Sequence, residues 1–232
     1  MQTEKLAFKP GTSQLYSNTG YLLLGAIIEK VSGQNYFDYV EQHIFKPAGM
    51  IHTNYSEMDA PISNRAIGYA PLQVDGKIQW RNNLYTNVLK GSPAGGGFST
   101  VEDMFKFAVA LKTNKLLNAH YTRLVLSTQI AAPKESINYF EKTISVMRVN
   151  YLATFSQYGF AGAWNKYGFA VWTSPSMIGH TGGTSGIDDY FGMSPKNGYT
   201  IIILSNQTGP GRMNALYEIQ KILSLPIESL NR

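Results

Sequence analysis

Apolar residues recur at helical spacing in the first part of the chain. Residues 18–31 are apolar on most faces, and the Ser-Gly pair at residues 32–33 is typical of a helix end, so we predict a buried helix there. A second amphipathic run covers residues 37–45, and Pro47 with Gly49 is expected to end it. Together the two segments predict a helical hairpin.

The pattern then changes to punctuation by Pro, Gly and Asn. Residues 51–93 contain isolated aromatic residues between these breakers, which predicts long loops with short elements that wall a cleft. Ser99 with Glu102 has the spacing of a capping box, so a helix is expected over residues 100–112. Its expected buried residues are Met104, Phe105, Ala108 and Leu111. A further helix is predicted over residues 118–127.

The second half carries short runs of aromatic and β-branched residues, which predict successive antiparallel strands. These runs cover residues 167–173, 177–181, 187–193 and 199–205. Asn197-Gly198 predicts a hairpin turn between the last two strands. The pattern in residues 131–154 fits a strand or a loop. A final helix is expected over residues 211–223, with one apolar side made of Met213, Leu216, Ile219, Ile222 and Leu223.

These elements predict a mixed α/β fold of the α+β type, in which an antiparallel sheet is flanked by helices and accompanied by a helical lobe. We expect one domain over residues 1–232. Residues 1–130 would form mainly the helical lobe and the cleft loops. Residues 155–232 would form the sheet strands and the C-terminal helix.

Composition narrows the function classes. Hydrophobic residues make up 44% of the chain and charged residues 15%, as in ordinary globular proteins. The net charge is +5, but the basic residues are scattered, which favours a solvated basic surface over nucleic-acid binding. No apolar run approaches the roughly 18 residues of a transmembrane segment. The absence of cysteine excludes disulfides, cysteine nucleophiles and thiolate metal sites.

A Tyr-Ser-Asn segment at residues 16–18 stands before the first predicted helix. The phenol of Tyr16 can exchange a proton with a reacting group if a nearby positive charge lowers its pKa. Asn18 can hydrogen-bond both a substrate amide and a catalytic side chain. Taken alone, Tyr16 is also explained as a half-buried aromatic residue near a helix start.

A His-Thr-Gly-Gly segment at residues 180–183 ends a predicted strand. His180 can donate a proton near neutral pH, and the glycines leave main-chain N–H groups open to an oxyanion, although a structural histidine fits as well. The four histidines have no metal-ligand spacing, so no metal site is expected. Asp188 with Asp189 fits a cation site less well than an exposed loop pair.

The ordered set of motifs resembles the serine β-lactamase and penicillin-binding-protein superfamily, and most of all its class C β-lactamase-related branch. The set comprises Tyr-x-Asn before an apolar helix, Gly-Gly-Gly-Phe-Ser-Thr-x-Glu-Asp at residues 95–103, and His-Thr-Gly-Gly before a strand hairpin. The resemblance implies a β-lactamase/transpeptidase-like fold. It also implies a serine hydrolase that acts on an ester, amide or lactam through an acyl-enzyme, without a cofactor.

The resemblance also implies a role for each motif residue. Tyr16 would shuttle protons between nucleophile and leaving group, Asn18 would orient the substrate, and His180 would occupy the basic position of the third motif. Thr181 and Gly182 would complete the strand edge that binds substrate. The amide of Gly183 would supply half of the oxyanion hole.

The chain departs from this family in two ways. None of its serines is followed three residues later by lysine, so the nucleophile motif of the family is missing, and we expect a truncated N-terminus and an inactive chain. The alternative is a non-catalytic protein that binds peptides or cell-wall-like ligands. Histidine in place of lysine at residue 180 favours an esterase or peptidase, because a neutral imidazole attracts a lactam carboxylate weakly.

Further expectations follow from the resemblance. The partners would be a small-molecule or peptide substrate and the missing N-terminal segment, with no nucleic acid and no transmembrane segment. A periplasmic, cell-envelope or secreted location would need a signal upstream of Met1. Without the missing segment, the chain should expose apolar helix faces and an unpaired strand edge.

Overall fold

The computed structural model describes residues 5–6, 8–12, 16–131, 166–167, 171–173 and 176–224. They form a helical lobe, a two-stranded hairpin and a six-stranded antiparallel sheet, which confirms the predicted mixed fold. The assignment of the whole chain to one domain stays a prediction.

The described helical segments are α1 (Asn18–Ser32), α2 (Tyr36–Val40), a π-helical turn (Glu41–Phe45), α3 (Lys46–Ala48), α4 (Val101–Lys112), α5 (Ala119–Val125) and α6 (Gly211–Ile222). The strands are β1 (Tyr69–Val74), β2 (Lys77–Asn82), β3 (Ile130–Ala131), β4 (Lys166–Tyr167), β5 (Trp172–Thr173), β6 (Ile178–Thr184), β7 (Ile187–Met193) and β8 (Thr200–Ile203).

Helix α1 begins and ends close to the predicted residues. The Ser17 side chain accepts a hydrogen bond from a backbone N–H of the first turn, and Gly33 ends the helix in the left-handed conformation. The prediction that this helix is buried is wrong, because only Gly25 is buried and Val31 is 82% exposed. Helix α2 and the ring of Pro93 cover one narrow stripe of α1 around Gly25.

The second helix is one continuous helical segment made of α2, the π-helical turn and α3. Asn35 caps its start with a side-chain oxygen, and Gly49 ends it at a φ of 78°. Pro47, which was expected to end the helix, lies inside α3 instead. In the wider π-helical turn ahead of Pro47, Lys46 N donates a hydrogen bond to Glu41 O. The last donor of this turn is therefore Lys46, and Pro47, which has no N–H, is not required to donate.

Residues 69–82 form a β-hairpin within the segment that the sequence assigns to loops and short elements. Strands β1 and β2 pair along their whole length. Asp75 and Gly76 make the two-residue turn with φ angles of 50° and 73°, both in the left-handed region that a type I′ turn requires. The Asp-Gly pair is the signal by which the sequence could have revealed this hairpin.

Helix α4 has a different cap from the one predicted. Thr100, not Ser99, is the N-cap, and its Oγ1 accepts a hydrogen bond from Asp103 N at 3.2 Å. The predicted capping box of Ser99 and Glu102 is therefore wrong. Phe105 was expected to be buried but is 53% exposed, because it lies on the outer face of the helix.

Asp103 fastens the loop around His52 to the start of α4. The carboxylate is fully buried and accepts hydrogen bonds from His52 N at 2.7 Å, Thr53 Oγ1 at 3.0 Å and Lys106 Nζ at 2.8 Å. Burial by itself raises the pKa of Asp103, but the hydrogen bonds from Lys106, His52 and Thr53 outweigh it, so the pKa is lowered. The loop is thus tied to the helix by an ionised carboxylate.

The six-stranded sheet has the order β3-β4-β5-β6-β7-β8, with every neighbouring pair antiparallel. Strand β7 covers the predicted residues, and β6 and β8 overlap theirs. The single strand expected over residues 167–173 is two short strands, β4 and β5, which pair with each other. Of the segment 131–154, Ala131 belongs to β3 and the rest lies outside the described residues.

The sheet has a separate apolar core on each face. On one face, Met177, Tyr190 and Ile201 pack against Leu216 of α6. On the other face, Met193 packs with Ala108 and Leu111 of α4, joined by the partly buried Ile178, Phe191, Phe107 and Leu126. Helix α6 turns Leu216 inward as predicted, and Ile219 and Leu223 pack against the same core, but Ile222 is 78% exposed.

Apolar helix faces and an unpaired strand edge, both expected from the sequence, are present in the described part of the chain. Leu22, Leu23 and Ile27 of α1 are between 44% and 56% exposed. The outer edge of β8 has no partner strand among the described residues. No described helix combines the length and the apolar character that crossing a bilayer requires.

The packing of Pro93 against Gly25 gives a stability prediction. A Cβ at Gly25 would lie 2.2 Å from Pro93 Cγ, whereas a Cβ at Gly20 would only touch Ser17 Cβ at 3.6 Å. We expect Gly25→Ala to lower the free energy of unfolding by about 1–3 kcal/mol, although alanine favours helix formation. The matched Gly20→Ala variant should not destabilise the protein. Equal unfolding midpoints in urea for both variants would contradict this packing.

Candidate active site

Two segments that lie far apart in the sequence meet in the structure. The ring centroids of Tyr16 and His180 are 6.1 Å apart, and the rings are tilted by 44°. Tyr16 lies directly before α1, where Ser17 caps the helix, and His180 lies in β6. The start of α1 and the middle of β6 therefore form one surface that carries both predicted motifs.

The first motif is held together by its own hydrogen bond. Tyr16 Oη donates to Asn18 Oδ1 at 2.9 Å, and the Tyr21 ring lies beside Tyr16 at a centroid distance of 6.0 Å. Burial raises the pKa of the Tyr16 phenol, and the neighbouring Tyr21 phenol raises it further. Tyr16 therefore keeps its proton at neutral pH and acts as a donor. A base role would require a cation close to the phenol.

His180 is a neutral imidazole at neutral pH. Burial lowers its pKa, and a hydrogen bond to the Thr181 carbonyl opposes this in part. Because a carbonyl oxygen can only accept, His180 Nδ1 must carry the proton, which makes Nε2 the acceptor of the neutral ring. The side chain therefore contributes a neutral imidazole to the site rather than a fixed positive charge.

The strand alternation sends the residues of the second motif to different faces. His180 and Gly182 face the side of α4, where their partners in β7 are Phe191 and Asp189. Thr181 faces the opposite side, and its Oγ1 is buried without a hydrogen-bond partner among the described residues. The role of Thr181 as a substrate positioner stays a prediction, since its hydroxyl lies on the other face from His180.

Main-chain groups of β6 are accessible along one edge. Strand β5 pairs with β6 only at Gly179 and Ile178, and no strand in the described part of the chain pairs with residues 181–184 on that side. Gly182 and Gly183 are exposed, so a ligand can approach their backbone closely. An exposed strand edge of this kind can bind an extended group by main-chain hydrogen bonds. The oxyanion role of Gly183 stays a prediction.

Asp188 and Asp189 are not the exposed loop pair that the sequence favours. Both lie in β7. Asp188 is 7% exposed, and its Oδ1 accepts a hydrogen bond from Arg212 Nε of α6 at 2.6 Å. Arg212 is 5% exposed. Burial raises the pKa of Asp188, while the Arg212 guanidinium lowers it. Asp188 and Arg212 form a buried ion pair, which no spacing in the sequence indicates.

Asp189 is a partly buried carboxyl group on the face that carries His180. Its Oδ1 accepts a hydrogen bond from Ser205 N at 2.9 Å, and Oδ2 lies beside Gly182. Burial raises the pKa of Asp189 to about 6; the Ser205 hydrogen bond lowers it and the neighbouring Asp188 raises it. The sequence pattern does not indicate that Asp189 is a titrating group of this surface, because its burial depends on how β7 packs.

The described residues contain no cluster of three or more histidine, aspartate or glutamate side chains that could bind a metal ion. Asp188 is committed to Arg212, and Asp189 is a single carboxylate.

Comparison with known proteins supports a common family. A family model described as Beta-lactamase matches residues 1–223. The mouse mitochondrial serine beta-lactamase-like protein LACTB is 43% identical over 112 residues, which cover 47% of this chain and 19% of that protein. A penicillin-binding protein of Bacillus subtilis is 30% identical over 213 residues, which cover 86% of this chain and 41% of that protein.

A solved structure has the same fold. The penicillin-binding protein of Bacillus halodurans superimposes with a TM-score of 0.74 at 28% identity, over 94% of this chain and 60% of that chain. The aligned part of this chain spans less than half the length of either curated relative.

The raised pKa of Asp189 gives a prediction with a definite sign. In the folded protein its pKa is about 6, above the value of about 3.9 in an unfolded chain, so stability falls as the pH rises between these values. Asp189→Asn keeps an acceptor for Ser205 N and removes the charge. Urea unfolding should show this variant about 2–3 kcal/mol more stable than the parent at pH 7 and equally stable below pH 4.

The neighbouring carboxylate is the control. Asp188→Asn should destabilise the protein at pH 7, because it leaves the Arg212 guanidinium buried without its partner. A gain for Asp189→Asn that does not change with pH, or a loss at pH 7, would contradict the assignment.

Proposed function

The chain belongs to the beta-lactamase family, and on that premise we propose that it forms part of a serine hydrolase that cleaves an ester, amide or lactam through an acyl-enzyme. The meeting of the Tyr-x-Asn and His-Thr-Gly-Gly motifs carries this proposal. Tyr16 and His180 stand 6.1 Å apart between ring centroids, beside an accessible strand edge. A proton-transfer group and an edge with open amides are what acyl transfer needs together.

The nucleophile would come from outside these residues. The 232-residue sequence contains no Ser-x-x-Lys, the motif that supplies the attacking serine in this family. The Tyr16 phenol is consistent with this view, because burial and the neighbouring Tyr21 phenol raise its pKa, so that it is a proton donor and not a base at neutral pH. The ammonium of a motif lysine placed beside the phenol would lower that pKa and make Tyr16 a phenolate.

In the proposed reaction, the serine oxygen attacks the carbonyl carbon of the substrate and its proton passes to the Tyr16 phenolate. The amide of Gly183 stabilises the oxyanion, and Asn18 orients the substrate amide. When the bond to the leaving group breaks, the Tyr16 phenol returns the proton to the departing amine or alcohol. Water then hydrolyses the acyl ester by the same proton path and frees the serine.

His180 favours an ester or a peptide as substrate. A lysine at this position would carry a full positive charge, whereas burial keeps the His180 imidazole neutral at pH 7. A neutral ring attracts the carboxylate of a β-lactam less strongly. The relatives are consistent with this class of substrate, since one is named as a putative D-alanyl-D-alanine carboxypeptidase of Escherichia coli.

A periplasmic, cell-envelope or secreted location stays a prediction, because another relative is named as a mitochondrial protein.

A second candidate is a non-catalytic protein that uses the same cleft to bind peptides or cell-wall-like ligands. The missing Ser-x-x-Lys motif and the protonated Tyr16 favour it. The coding region upstream of Met1 distinguishes the two functions. A longer reading frame with Ser-x-x-Lys would favour the hydrolase, and a translation start at Met1 would favour the binding protein.

Covalent labelling tests the hydrolase. A fluorescent penicillin or a fluorophosphonate should not label this chain alone, and one of them should label a protein that carries the chain together with its Ser-x-x-Lys segment. In that protein, Tyr16→Phe should slow labelling by roughly 100-fold or more, because the proton path is lost. Tyr85→Phe is the matched control, since Tyr85 is 96% exposed. Labelling of this chain alone, or equal rates in the Tyr16 variant and the parent, would refute the proposal.

A further inference from the structure

The turn that follows the His-Thr-Gly-Gly segment is clasped by a loop from another part of the chain. Residues 184–186 connect β6 to β7, and the loop at residues 83–87 follows β2. About a hundred residues of sequence separate the two, yet side chains of the loop hydrogen-bond to consecutive residues of the turn. The turn lies directly after Gly183, at the end of the accessible strand edge.

Asn87 uses both ends of its side-chain amide in this contact. Its Oδ1 accepts a hydrogen bond from Thr184 Oγ1 at 2.6 Å, and its Nδ2 donates to Ser185 O at 3.1 Å. Asn83 Nδ2 donates to the same Ser185 carbonyl at 2.9 Å. Two donors occupy both lone pairs of this oxygen, so the peptide plane after Ser185 has a defined orientation. Thr86 Oγ1 adds a hydrogen bond to Ser185 Oγ at 3.0 Å.

The loop is a firm support for these contacts. Asn83 is 1% exposed, and its backbone N donates to Gly68 O at 2.9 Å. On the far side of the turn, Gly186 N donates to Thr208 Oγ1 at 2.7 Å. Gly186 also packs so closely against Gly68 that a Cβ would lie 2.7 Å from its carbonyl carbon. The turn is thus held by hydrogen bonds on two sides. Among the loop residues that contact the turn, Asn87 is the one that bonds to Thr184, the residue next to Gly183.

We propose that Asn87 is a positioning residue for the substrate edge of β6, because its amide bridges Thr184 and Ser185 and so holds the Gly183 N–H in place for an acyl oxyanion. This inference rests on the proposed hydrolase function. Strand β7 supports residues 181–184 on one edge only, and no described strand supports the other. The hydrogen bonds from the loop at residues 83–87 supply the missing constraint at the end of the strand. An oxyanion donor must be held to within a fraction of an ångström. Loss of the Asn87 hydrogen bonds should therefore slow the acylation step more than it weakens substrate binding.

Amide hydrogen exchange tests the positioning in this chain itself. In Asn87→Ala, the amides of Gly182, Thr184 and Gly186 should exchange about tenfold faster, the effect of losing about 1.4 kcal/mol of local stability. Asn87→Asp should behave in the same way, because a carboxylate cannot donate to Ser185 O. Val88→Ala is the control, since Val88 is 71% exposed and adjoins Asn87. Unchanged exchange in these residues, or faster exchange spread over the whole protein, would overturn the proposal.

Acylation kinetics test the consequence in the protein that carries the Ser-x-x-Lys segment. Asn87→Ala should lower the acylation rate constant by roughly 10- to 100-fold and leave the dissociation constant of the substrate nearly unchanged. Thr184→Val, which removes only the hydroxyl bonded to Asn87, should have a smaller effect, and the double variant should be no worse than Asn87→Ala. Weaker substrate binding with an unchanged acylation rate would overturn the positioning role.

The two experiments separate this inference from the function on which it rests. If the parent protein is not labelled at all, the hydrolase proposal fails, and the exchange rates alone decide whether Asn87 positions the strand edge. If the parent is labelled and Asn87→Ala acylates at the parental rate, the hydrolase proposal stands and the role of Asn87 is refuted.

Discussion

Strands β6 and β7 pair through seven residue pairs, from Ile178↔Met193 to Thr184↔Ile187, and this register determines where the groups of the candidate site lie. Ile178 packs into the core beside α4, so His180 and Gly182 must face the same side. A slip of one residue would send His180 into the opposite core, where Tyr190 lies. Burial of Ile178 and Met193 therefore fixes the direction of the imidazole that meets Tyr16.

The second constraint is electrostatic. Burial lowers the pKa of the His180 imidazole and raises that of the Tyr16 phenol, so neither side chain is ionised at neutral pH. Arg212 is near β7 but is bonded to Asp188 on the other face. A phenol in this state can donate a proton but is not a base. The proposed function therefore needs a cation, such as a lysine ammonium, beside the Tyr16 phenol.

The local features of the fold could be predicted from the sequence. The bounds of α1 and β7 agree with the pattern, because Ser17, Gly33 and the strand alternation act through neighbouring residues. The Asp75-Gly76 turn was equally local and could have been found. Burial was harder to predict: α1 has an apolar sequence yet leaves Val31 82% exposed, since burial depends on what packs against a helix and not on its own composition.

The sequence by itself determined the chemistry that the chain can bring to a site, namely the phenol of Tyr16, the imidazole of His180 and an open glycine pair in a strand. Only the tertiary structure decided that Tyr16 and His180 meet, that Thr181 faces away from them, and that Asn87 and Asp189 belong to the same region. The physical reason is that side-chain type and helix or strand period are encoded within a few residues. Contacts such as that of Asn87 with Ser185 instead follow from the packing of elements far apart in the chain, on which sequence spacing carries no information.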